Sequence, residues 1–197
     1  MDEAKADNTQ ERNGRHPRDP RLAVAGQAGK KLPLNLGWGL TRSASWPYQP
    51  DQTSPLAWWR RLPPYSFRDA QRSLLRATLE DVRVLRGGDD LAAALRGDAA
   101  AAVGAALGLM PITEVTLPVD VTMSWLLYTA LKHDATAALV MSQIVGLTDL
   151  GHEFAIELAG SWFKYGRRHS DDPCRFDLAE DVLMIAFQQH QNGDHEA

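Results

Sequence analysis

The chain has one cysteine in 197 residues, Cys174, which excludes an intramolecular disulfide and any multi-cysteine zinc site. Long hydrophobic runs are also missing. A membrane-spanning helix needs about 20 apolar residues, and the best run, Ala99 to Met110, is largely alanine and stops at Pro111. The opening Met-Asp-Glu-Ala-Lys lacks the apolar stretch of a signal peptide. These absences together lead us to expect a soluble, cytoplasmic chain with no membrane span.

Catalytic signatures are equally scarce. Gly87-Gly88 is not followed by the Lys-Ser/Thr of a phosphate-binding loop, and Gly37-Trp38-Gly39 opens no helical pattern. Gly-x-Ser-x-Gly and calcium-loop patterns are absent. In the stretch His152-Glu153-Phe154-Ala155-Ile156, isoleucine stands where a zinc helix needs its second histidine.

The distribution of residues is more informative. Residues 1–65 hold 8 of the 11 prolines and carry 10 Lys/Arg against 6 Asp/Glu, a net charge of +4. The remainder carries 11 against 19, a net charge of −8, and is apolar with helical rhythm. A basic arm on an acidic body suits an anionic partner, or docking of the arm on its own body.

This asymmetry divides the chain into four parts. Residues 1–31 are polar and without period, which predicts a disordered basic arm. Residues 32–65 interleave Trp38, Trp46, Trp58 and Trp59 with six prolines and predict an extended strap seated in a groove. Residues 66–191 predict an all-α domain, a single bundle of about five or six helices, and 192–197 a flexible tail.

Within the domain, Ser66 and Asp69 suggest a capped helix start after Pro63-Pro64, closed by Gly87-Gly88. A short helix is expected over Asp90 to Leu95, and Asp98 can cap the alanine-rich 99–110. Residues 112–119 alternate, but Pro118 favours an extended connector over a strand. Helices follow over 120–132 with Asp120 as cap, over 134–147, over 150–166 and over 177–191. The last opens with Asp177 and Glu180 and is apolar on most of its circumference, which predicts a central position.

Four groups of residues could carry chemistry. Asp149, Glu153 and Glu157 fall on one face if 149–157 is helical, with His152 beside them, a weak echo of half a di-metal site. No Glu-x-x-His occurs to supply the other half, so no cofactor is expected. His133-Asp134 could be an acid/base pair but also fits a helix end followed by a cap, and Cys174 with His169 suggests a nucleophilic dyad with no orienting third group. The strongest lead is the basic and aromatic region: Trp38, Trp46, Trp58 and Trp59 as anchors, with Arg60, Arg61, Arg68, Arg72 and Arg76 as a cationic edge.

That pattern predicts a non-catalytic adaptor, regulator or inhibitor that binds a larger protein assembly. Nucleic acid is the alternative partner, since rings beside arginines suit single strands, although the pI near 5.8 weighs against it. A metal-dependent bundle enzyme stands behind both. Self-association is compatible with the sequence as well.

Overall fold

The computed structural model describes residues 46–86 and 98–193, with side chains over 46–82 and 98–187. Trp38, the basic arm 1–31, the short helix expected over Asp90 to Leu95 and residues 194–197 lie outside the described residues.

Among the described residues, six α-helices and three 3₁₀ turns make up the regular structure, and there is no strand. The helices are α1 (Asp69–Arg86), α2 (Ala99–Leu107), α3 (Leu117–Leu131), α4 (Ala135–Leu147), α5 (Ala155–His169) and α6 (Pro173–Gly193). The fold is all-α. No helix among the described residues is long and apolar enough to cross a membrane.

Local chemistry fixes where each helix begins. Asp98 accepts the Ala101 N–H at 3.1 Å to start α2, and Asp134 accepts the Ala137 N–H at 2.7 Å to start α4. Four expected starts move. Helix α1 begins at Asp69, because Ser66 is held in the 3₁₀ turn Pro64–Ser66; Gln71 then reaches back to accept the Arg68 N–H at 3.1 Å.

Helix α3 begins at Leu117, three residues before Asp120, because a proline is well suited to a first helical turn. Helix α5 begins only at Ala155. Asp149 caps no helix; it accepts the Gly151 N–H at 2.9 Å in a local turn, and Gly151 sits at φ +67°. Helix α6 begins at Pro173, capped by Asp172, whose Oδ1 accepts the Cys174 and Arg175 N–H groups at 3.0 and 3.1 Å.

The central helix is α4. Every residue from Ala137 to Val145 is buried, as are most of α3. The expectation that the last helix is central fails. Helix α6 packs mainly on α4 and α5, so it buries Phe176, Glu180 and Phe187 but leaves Leu178, Val182 and Ile185 at 64, 59 and 56% exposure. Its apolar circumference is only half used. At Gly166 the backbone of α5 approaches α4 and α6 closely: a Cβ there would lie 2.9 Å from the Phe176 ring and 3.0 Å from Ala138.

The described part of the strap is not extended. Residues 50–52, 55–60 and 64–66 form 3₁₀ turns, each with proline in its first positions, where the fixed φ is well matched. Trp58 and Trp59 are 1 and 0% exposed and belong to the core of the bundle. Trp58 Nε1 donates to the Thr53 carbonyl at 2.9 Å, and Trp59 Nε1 to Asp120 Oδ1 at 2.8 Å. Ser124 on α3 donates to the Leu56 carbonyl at 3.0 Å.

Candidate functional site

Leu75 and Leu79 turn one face of α1 into the core, and Arg72 and Arg76 stand one turn apart on its flank. The C-terminal turn of α3 lies opposite. Between them is a cleft of about 340 Å³ lined by Arg72, Ser73, Arg76, Tyr128, Leu131, Lys132 and His133. Its cations come from two helices and therefore from two directions.

Each cation is held differently. Arg76 donates to Glu80 at 2.9 Å along α1, and this neighbour holds its guanidinium more firmly protonated. Lys132 Nζ lies 4.5 Å above the centroid of the Tyr128 ring, which Trp125 braces edge-on at 6.4 Å. Arg72 Nε is buried and has no hydrogen-bond acceptor. A buried donor with no acceptor is costly.

His133 ends α3 in a left-handed conformation, φ +71°, a geometry that a helix end most often gives to glycine. Its N–H donates to the Ala130 carbonyl at 2.9 Å. The ring lies parallel to that of His169 at 4.3 Å and 2°. Tyr165 Oη and His133 Nδ1 are 2.9 Å apart, and Tyr165 is also in ring contact with both histidines. Desolvation lowers the His133 pKa first, and the neighbouring His169 and Arg72 lower it further. Burial raises the Tyr165 hydroxyl, with Arg72 opposing.

With His133 neutral, Arg72, Arg76 and Lys132 against Glu80 leave the cleft with two surplus positive charges. The arrangement can attract and orient an anion.

The remaining sequence candidates are placed elsewhere. Trp58 and Trp59 are enclosed in this chain's own core, so neither presents a ring to a partner. Trp46 is half-buried, donates to the Arg61 carbonyl at 2.6 Å and packs on Phe154. Arg60 is bound to Asp120, and Arg61 lies 5.1 Å above the Tyr48 ring. Arg68 is exposed immediately before α1, outside the residues lining the cleft.

Asp149, His152, Glu153 and Glu157 do not share a helical face, because 149–154 precede α5. His152 Nε2 instead donates to the Arg60 carbonyl at 2.8 Å, while the Tyr48 ring meets it edge-on at 5.5 Å. No group of three or more His, Cys, Asp or Glu side chains is placed to hold a metal among the described residues. His169 turns to His133 and Tyr165, and Cys174 is exposed.

Arg72 and Arg76 stand out in the sequence, Tyr128 and Lys132 do not, and His133 reads there as a helix end or as half of an acid/base pair with Asp134. The signal was present: Tyr128, Lys132 and His133 lie at the spacing that puts them at one end of a helix. No protein-family model, curated protein or solved structure matches this chain.

Proposed function

We propose that this chain acts by binding, as a non-catalytic helical adaptor or regulator that docks on an acidic protein surface. The contact surface in this reading is the cleft between α1 and α3, continued by the exposed Arg68. The observation that carries it is the isolation of Arg72. Arg60, Arg76 and Arg167 each meet a carboxylate of this chain, Asp120, Glu80 and Asp177. Arg72 has a buried Nε and no acceptor. A carboxylate or other oxyanion entering the cleft would meet this guanidinium where it lines the cleft, and charge-assisted pairing is the stronger class of hydrogen bond.

Nucleic acid is less well supported, because single strands need stacking platforms and Trp58 and Trp59 are enclosed. The test is affinity capture with the full-length chain and with the Arg72→Glu/Lys132→Glu variant. The reading expects a stoichiometric protein that the native chain retains and the variant loses, while both give the same melting curve. A partner retained equally by both contradicts it.

A further inference from the structure

The cleft is larger than one carboxylate requires, and one carboxylate leaves part of its charge unmatched. Two surplus positive charges face one opening, from Arg72 and Arg76 on α1 and Lys132 just past the end of α3, with Glu80 offsetting one of three. A carboxylate would neutralise half of that. A phosphomonoester carries about −1.5 to −2 charges near neutral pH and three acceptor oxygens. It matches the surplus and offers acceptors to donors that arrive from two helices. Arginine's planar fork is well suited to such a group.

The surroundings agree with this assignment. Tyr128 and Leu131 give the cleft an apolar wall, room for the carbon substituent of an ester beside its phosphoryl group. When the Tyr165 hydroxyl donates to His133 Nδ1, the neutral imidazole keeps its proton on Nε2. His133 is then a hydrogen-bond donor without having to carry charge. The parallel His169 ring and the left-handed backbone hold that imidazole in one orientation.

We propose that the cleft between α1 and α3 is a seat for a phosphomonoester dianion, with Arg72 as its principal anchor and Lys132 and His133 as supporting donors. The proposal rests on the binding role given above and specifies its ligand chemistry. A free phosphorylated metabolite and a phosphorylated side chain of a protein share this chemistry.

The experiment is a titration of the full-length protein at low ionic strength, followed by nuclear magnetic resonance of the Arg72 Nε–H and the His133 ring. The probes are inorganic phosphate, phenyl phosphate, a phosphoserine peptide with its unphosphorylated twin, and acetate. Saturable shifts at both groups are expected with each phosphorylated probe, and binding weaker by about tenfold or more with acetate and with the unphosphorylated peptide. Arg72→Gln should weaken phosphate binding by about tenfold. Lys132→Ala, at an exposed position, should weaken it by about threefold. Arg68→Gln should change it by less than about twofold.

Tighter binding of the phosphoserine peptide than of phenyl phosphate assigns the dianion to a protein side chain, and the reverse assigns it to a small metabolite. Either supports the seat. It is overturned by phosphate shifts that do not saturate, by acetate binding as tightly as phosphate, or by Lys132→Ala and Arg68→Gln being indistinguishable. A native protein partner lost by the charge-reversed variant, with no phosphate binding, would leave the docking role intact and remove only this ligand.

Discussion

Asp120 holds the Arg60 guanidinium at two points, Oδ1 to Nε at 3.0 Å and Oδ2 to Nη2 at 3.1 Å, across 60 positions of sequence. The same Oδ1 accepts the Trp59 indole N–H at 2.8 Å. One carboxylate in the first turn of α3 therefore fastens the 3₁₀ segment Pro55–Arg60 to the bundle, where the positive end of the helix dipole also favours it. Asp120→Asn keeps the shape but removes the charge from two partly buried donors. The expected loss is about 2–3 kcal/mol in denaturant unfolding. A loss below about 0.5 kcal/mol would place this contact among ordinary surface pairs.

Trp58→Ala and Trp59→Ala should each act on folding. Both side chains are enclosed, and truncating a core tryptophan costs about 3–5 kcal/mol. Denaturation curves of the two variants should show this loss whether or not a partner is present. Unchanged stability with weakened partner binding would return these residues to the interface.

Gly166→Ala tests the junction of α4, α5 and α6. Alanine is worth up to about 1 kcal/mol over glycine inside a helix. Against this stands a Cβ forced to 2.9 Å from Phe176 and 3.0 Å from Ala138, and overpacking costs about 1–3 kcal/mol. We expect a net loss of about 1 kcal/mol, seen as a lower melting temperature. A gain would mean that the Phe176 ring yields without cost.

Glu180 makes the protein's stability depend on pH. It is 3% exposed, and burial raises its pKa above the ordinary 4.5, helped by Asp181 and Asp177 and opposed by the Gln143 amide. The folded chain thus holds this proton more tightly than the unfolded chain does. The residue is without effect below the unfolded pKa, and it costs stability increasingly as pH rises through the folded value. Glu180→Gln should raise the melting temperature at neutral pH and change it little below the ordinary carboxylate range. A variant less stable than the native chain at neutral pH would show that the carboxylate is favourably held.

Much of this fold could be read from hydrophobic spacing and caps. Asp134 and Asp98 cap the helices assigned to them, because an aspartate before an apolar run has one dominant use. The errors cluster where several residues compete for that use. Asp149, Asp172 and Asp177 all precede apolar residues, and only backbone geometry decides that Asp172 caps and that Asp149 turns onto Gly151. The position of α6 was hidden because an apolar circumference does not say which half meets a neighbour.

The candidate site was legible only in part. Helical spacing gives the row Arg68, Arg72 and Arg76. The approach of Lys132 and His133 to that row comes from the crossing of α1 and α3, which no local pattern encodes. The enclosure of Trp58 and Trp59 was not legible for a physical reason: a ring that anchors a strap has the same composition whether its groove belongs to a partner or to the same chain.

The most direct test of the binding role is hydrogen exchange on the full-length chain with and without the protein it captures. The account predicts slowed exchange confined to 68–76 and 128–133, weakened by added salt as cationic contacts require. Protection centred instead on Leu178, Val182 and Ile185, with 68–76 and 128–133 unchanged, would move the interface to the apolar face of α6 and contradict the central claim.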